Sequence, residues 1–191
     1  MCIRDSCATT PNIVLAPEVS GNYVLDPTHA SVIWSLSHAG LSNYTARFDK
    51  ISGSLLFDAE NPAESRVDIR IDAGSINTGL PDFDKTIAVS DDGLDADDHP
   101  EIRFVSTEVK VMGEKTGIIT ADLTLRGQTH PVTMNVTFNG AGKSFGHSGD
   151  TLGFSATAQM DRTLWGVTKW SNFGIGTDVS LRIEAEFNEV E

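Results

Sequence analysis

Ser31-Val-Ile-Trp-Ser-Leu-Ser-His-Ala-Gly-Leu-Ser42 is the stretch on which the reading of this 191-residue chain turns. On an extended strand, alternate side chains face opposite ways. Val32, Trp34, Leu36 and His38 then share one face, and Ser31, Ile33, Ser35 and Ser37 share the other. A stripe of large apolar side chains ending in an imidazole has two readings. It is the wall of a pocket for an amphipathic ligand, or it is a plain β core with one polar residue at its rim. Taken alone, the stretch favours the plain core.

The same period continues outward from it. Tyr23 to Leu25 reads as a short strand stopped by the turn signal Asp26-Pro27. Ala46 to Asp58 carries Phe48, Ile51, Leu55 and Phe57, with Gly53 marking a bulge or a close backbone approach. From Arg66 to Ala73, Val67, Ile69 and Ile71 alternate with Arg66, Asp68, Arg70 and Asp72, giving one dry and one wet face. Further strands are expected at Glu101 to Val111, with a bulge near Ser106-Thr107, and at Ile119 to Leu125. Three more set Val132, Met134, Val136 and Phe138, then Phe154, Ala156, Ala158 and Met160, then Val179, Leu181, Ile183 and Phe187, against polar neighbours. Gly127 to Pro131 reads as a tight hairpin link, with His130 in the turn.

Two segments lack this period. Residues 74–100 contain a short helix from Asp82 to about Val89, then the acidic run Asp91, Asp92, Asp95, Asp97, Asp98. Residues 161–178 form a loop that gathers Arg162, Trp165, Lys169, Trp170 and Phe173. About eight alternating strands with short connections imply an all-β antiparallel fold, with the helical excursion around residues 80–98. A single eight-stranded antiparallel barrel is favoured over a sandwich, because closure removes the edges and leaves an interior sized for one ligand. Alternation alone does not separate the two. Small inward residues such as Ala121, Ala156 and Ala158 leave space in a barrel unless facing large residues fill it.

Composition excludes several functions. The formal net charge is −13, with 14 Lys and Arg against 27 Asp and Glu. That speaks against nucleic acid and against electrostatic docking on anionic lipid. No run of about 18 apolar residues is present, so no transmembrane helix is expected. The two cysteines, Cys2 and Cys7, fall in the first twenty residues, which read as a flexible leader ahead of a barrel domain over residues 21–191. No signal peptide is visible; Cys7 suits the start of a lipid-anchored protein, although Arg4, Asp5 and Ser6 do not form a lipobox.

Catalytic and metal signals are weak. His29, His38, His99, His130 and His147 do not share a metal-binding spacing. A calcium site from Asp91, Asp95 and Asp97 is conceivable, but the order does not match an EF-hand loop, and a solvated acidic loop is the plainer reading. No metal and no cofactor are expected. No Gly-x-Ser-x-Gly motif occurs, and the only loose acid–base pairing is His38 with Asp26 or His29, so the chain does not read as an enzyme. Asn43-Tyr44-Thr45 and Asn135-Val136-Thr137 match a glycosylation pattern too short to weigh. Arg162, Trp165, Lys169 and Trp170 join positive charge to aromatics, which suits either an anionic or quinonoid headgroup or a plug of tryptophans with solvated cations.

At this point the chain resembles the bacterial YceI-like family. Tyr23-Val24-Leu25-Asp26-Pro27 with His29, Ser35-Leu36-Ser37-His38-Ala39-Gly40, and Phe48 with Gly53 and Phe57-Asp58 follow the family's order. So do Ser75-Ile76-Asn77-Thr78 and Leu94-Asp95 with His99-Pro100-Glu101-Ile102-Arg103-Phe104. The most specific block is Ala121-Asp122-Leu123-Thr124-Leu125-Arg126-Gly127, followed by Arg162 and Trp165-Gly166. The resemblance implies an extended lipocalin-like barrel whose apolar channel holds an isoprenoid chain, either a polyprenyl phosphate or a ubiquinone-type quinone. It further implies a periplasmic location, often as a homodimer, and a carrier or sequestering role. On this reading the tail lies along Val32, Trp34, Leu36, Phe48, Ile69, Leu123, Met134, Phe154 and Ala156. The headgroup meets His38, Asn43, Arg162 and Trp165. The aspartates of the excursion favour a neutral quinone over an anionic headgroup. The rival readings are an enzyme acting on a lipid or quinone held in the barrel, and an envelope stress-response module whose partner docks on the acidic run.

Overall fold

The computed structural model describes residues 19–143 and 147–190. The leader expected over residues 1–20, with Cys7, therefore lies almost wholly outside the described residues. The described chain forms ten strands and one helix. The strands are β1 (Gly21–His38), β2 (Ser42–Phe48), β3 (Ile51–Phe57), β4 (Arg66–Asp72), β5 (Ile76–Asn77), β6 (Glu101–Val111), β7 (Thr116–Leu125), β8 (Gln128–Gly142), β9 (Thr151–Asp161) and β10 (Ile175–Glu189). The helix α1 (Pro81–Val89) lies between β5 and β6.

All pairings are antiparallel, and the order β10-β9-β8-β7-β6-β4-β3-β1 is closed by β1 on β10. Eight strands thus complete a barrel, and the sandwich alternative falls away. The long β1 serves two neighbours on one side. Its first residues pair with β3 (Gly21 opposite Phe57), and its last seven pair with β2 (Val32 opposite Phe48, His38 opposite Ser42). β2 itself lies outside the closed ring, pairing with β1 and, at Arg47 and Phe48, with β5.

Several local expectations change. Asp26-Pro27 does not end a strand: β1 runs through it as a bulge, with Leu25 opposite Phe187 and the next pair Ala30 opposite Ala185. The Asp26 carboxylate supports the bulge by accepting from the Thr28 amide (2.8 Å), the Thr28 hydroxyl (2.6 Å) and the Asn188 amide (3.3 Å). The hairpin after β7 is only Arg126-Gly127, both at positive φ (50° and 69°), as a two-residue turn of this hand requires. His130 and Pro131 consequently lie in β8, and the His130 ring packs edge-on against Trp165 at 5.2 Å. Gly53 does mark a close approach, since a Cβ there would sit 2.7 Å from the Asp68 carbonyl oxygen.

The interior is divided by height. At one end Phe57, Phe138, Phe154 and Phe187 pack, stacked, tilted or edge-on, at centroid separations of 5.3 to 6.0 Å, beside the buried Tyr23 and Leu152. These rings plug that end, leaving a small space of about 110 Å³. The longest connections, residues 73–100 and 162–174, both leave from the opposite end, which is the mouth.

Candidate functional site

The stripe on β1 faces an apolar cavity. Val32, Trp34, Leu36 and His38 all line it, in the order expected of alternation, with His38 nearest the mouth. Across the ladders, β10 contributes Leu181 opposite Trp34, Val179 opposite Leu36 and Ile175 opposite His38. β2 contributes Phe48 opposite Val32 and Tyr44 opposite Leu36. Ile71, Ile102, Leu123, Leu125 and Met160 complete the wall. The space is about 500 Å³, within the range of small-molecule sites, and its lining is overwhelmingly apolar.

A layer of aromatic rings covers the mouth. Phe83 of α1 stacks on Trp170 from the second long loop (5.3 Å, 11° between planes). Tyr44 meets the edge of Phe83 at 6.0 Å and leans on Trp34 at 6.2 Å. Trp170 holds a left-handed backbone (φ 58°), uncommon for a bulky residue, and Lys169 Nζ lies 4.8 Å above its ring. Phe173, also on the cavity, remains 79% exposed. The acidic run pins this cover down. Lys169 Nζ donates to Asp92 (2.8 Å), which holds the Asp92 carboxyl below the usual range. The backbone amides of Thr168 and Lys169 both donate to the Asp92 carbonyl, and Arg126 Nη2 to that of Asp91. Arg126 also lies 3.8 Å from Asp95. Among the described residues no three His, Cys, Asp or Glu side chains converge as a metal site.

Arg162 is the buried cation of the site, 5% exposed. Its guanidinium donates to the carbonyls of Gly176, Val167 and Lys169, each at 2.9 Å, and of Ile175 at 3.5 Å. Burial pushes its pKa down, and the nearby Asp161 and Asp92 oppose that. It ties the loop after β9 to the start of β10, where a bulge sets two steps along β1 (Leu36 to His38) against four along β10 (Val179 to Ile175). His38 and Tyr44, by contrast, make ring contacts with each other at 6.5 Å and no hydrogen bond from either side chain among the described residues.

A model of the YceI-like domain family matches residues 23–187. The chain belongs to the YceI-like family. A UPF0312 protein of Pseudomonas putida strain W619 is 40% identical over 139 residues, covering 73% of this chain and 71% of that protein. Among solved structures, Burkholderia cenocepacia BcnA superposes with a TM-score of 0.74 at 21% identity, covering 85% of this chain and 98% of that one. A polyisoprenoid binding domain from Saccharophagus degradans superposes with a TM-score of 0.60 at 17% identity, covering 88% and 98%. At these identities the two structures establish the shared barrel fold.

Within this YceI-like barrel, the residues singled out from sequence divide by height. Val32, Trp34, Leu36, Phe48, Leu123, His38 and Arg162 are brought together on the cavity. Ile69 and Met134 pack on the core outside the cavity lining, and Ala156 is buried opposite Val136 and Ile183. Phe154 belongs to the plug. Asn43 lies on the outer face of β2, opposite Ser37. Trp165 is 1% exposed, and its Nε1 donates to the Leu123 carbonyl at 2.9 Å, so it braces the wall from outside the cavity. The pairing of His38 with Asp26 or His29 is not formed. His29 Nδ1 meets Asp26 Oδ2 at 2.9 Å on the bulge, nine residues down β1 from His38, about 25–30 Å along a strand. Lys169 and Trp170, grouped in sequence with Arg162, also line the cavity, and Tyr44, Phe83, Val179 and Leu181 join the site unforeseen as ligand contacts. Their positions at the mouth ends of strands or in the two mouth loops are the shared signal.

Proposed function

We propose that this protein binds an isoprenoid lipid, tail inward, and carries or sequesters it in the bacterial envelope, in the periplasm. The observation that carries the reading is the 500 Å³ apolar cavity, plugged by phenylalanines at one end and roofed by rings at the other. A branched hydrocarbon chain suits such a lining because burial stabilises it by about 0.8 kcal/mol per methylene-sized group without directional contacts. The name of the Saccharophagus degradans neighbour, a polyisoprenoid binding domain on the same fold, supports the choice of ligand. The protein acts as a binding protein rather than an enzyme: the acid–base candidates are far apart, and the cavity wall offers His38 without a carboxylate partner among the described residues. Organic extraction of the purified protein, followed by mass spectrometry, tests this. An isoprenoid in stoichiometric amount is expected. Protein that is free of isoprenoid and binds none in vitro would overturn the proposal.

A further inference from the structure

One layer of side chains parts the roofed cavity from the small space beside the phenylalanine plug. On β4, Ile71 lines the cavity and Val67 the small space, while Ile69, between them on the same face, lines neither. On β7 the same order is Leu123, Ala121, Ile119, and on β6 it is Ile102, Phe104 and, past the bulge, Val109. β9 runs from Met160 through Ala158 and Ala156 to Phe154, and on β8 Met134 stands above Val136. The dividing layer is therefore Ile69, Phe104, Ala121, Met134, Ala156 and Ala158. Half of it is alanine, so Ile69, Phe104 and Met134 do the closing. Each is placed for it. Ile69 lies over Gly53, where a Cβ would come within 2.5 Å of its Cδ1. Phe104 is buried between Ile69 and Leu123, and Met134 extends beside the small Ala158.

A floor at this height fixes how much tail fits. A dry cavity of about 150 Å³ holds benzene, so an apolar carbon takes roughly 25 Å³. The roofed cavity of about 500 Å³ then holds about twenty carbons, or about four isoprenyl units. The space beneath the floor, about 110 Å³, has room for about one unit more. We propose that Ile69, Phe104 and Met134 form a floor that measures the tail, so that the protein takes isoprenoids of about four units and rejects much longer polyprenyl chains. This rests on the isoprenoid reading above and adds tail length to it. A unit that finds no room above the floor stays in water at the mouth. For a ligand drawn from a detergent micelle, a unit that is buried changes little, and a unit left in water weakens binding by up to about a thousandfold.

Prenyl alcohols of two to eight isoprenyl units, offered together in equal amounts from micelles of an uncharged detergent, test this. The lengths retained by the protein after gel filtration are read by mass spectrometry. The wild type is expected to retain chains of up to four units and to discriminate at least about tenfold against six and longer. Met134→Ala is expected to open the floor to the space beneath and to move the cut-off up by about one unit. Ile69→Ala, on a different strand, is expected to do the same and serves should Met134→Ala fold poorly. Equal retention of all lengths, or a cut-off that neither variant moves, would overturn the floor while leaving lipid binding standing. Retention of none of the alcohols overturns the isoprenoid reading itself. Should neither variant fold, the terminal methyls of the four-unit alcohol report on the wild type: NOEs to the Met134 methyl and none to Val67 are expected, and contacts with Val67 would refute the floor.

Discussion

Leu181→Trp should close the cavity without unfolding the barrel. Leu181 stands on β10 between Trp34 on β1 and Ala158 on β9, and its side chain faces the open space. A larger ring there has a small neighbour beside it and no atoms in front. Overpacking a filled core costs about 1–3 kcal/mol, so a residue growing into a void should cost less than about 1 kcal/mol. Binding should suffer far more. An isoprenyl unit has five carbons, worth roughly 4 kcal/mol when buried at about 0.8 kcal/mol each. Excluding one unit should therefore weaken an isoprenoid by up to about a thousandfold. Dye competition measures the affinity, and urea denaturation measures the stability. The contrasting variant is Ala156→Leu, where Val136 and Ile183 already fill the space, and a loss of about 1–3 kcal/mol is expected. A Leu181→Trp protein that folds normally and binds an isoprenoid as tightly as the wild type would refute the assignment of this cavity.

Three further outcomes follow from the geometry. Trp165→Phe should cost about 1–3 kcal/mol in denaturant unfolding, because the Leu123 carbonyl loses the buried indole donor. Burial, reinforced by Glu189 and Asp150, pushes the Tyr23 phenol up to about 12, while its hydroxyl donates to the Val19 carbonyl at 2.6 Å. A raised pKa gives stability that is complete below the unfolded value of about 10 and is lost as pH rises through the folded one. Wild-type unfolding measured between pH 9 and 12 should show that loss (~10 to ~12 being the titration window), and Tyr23→Phe should not. Asp26 lies well below the usual carboxylate range, through the Thr28 hydroxyl first and His29 second, and its hydrogen bond to His29 raises that imidazole above its ordinary value. Asp26→Asn should lower the His29 titration midpoint, read by NMR.

Much of the barrel was legible because its strands keep a strict period of two. Arg66 to Asp72 reads as a strand without error and is one, and the stripe Val32, Trp34, Leu36, His38 points into a single space as alternation requires. The period reports face and is silent on height. Phe154 and Leu123 both point inward, yet one belongs to the plug and the other to the cavity, because height depends on strand stagger, set by pairings such as Phe138 with Phe154. Asp26-Pro27 misleads for a different reason. Turn chemistry is present there, since Asp26 caps Thr28, but the chain uses it to bulge rather than to reverse. Arg162 and Trp165 stand out as a cation and an aromatic in one loop. Their hydrogen bonds go to backbone carbonyls of β7, β10 and the loop itself, which sequence cannot show.

The most direct measurement is a set of intermolecular NOEs between the methyl groups of a short prenyl ligand, two or three isoprenyl units long, and assigned methyls of the protein. Contacts to Leu36, Leu123, Leu125 and Val179, with none to Val136 or the rings of Phe138 and Phe154, are expected of a tail lodged beneath the Phe83–Trp170 cover. A ligand that shows contacts only at the plugged end, or only on the outer surface, would contradict the account.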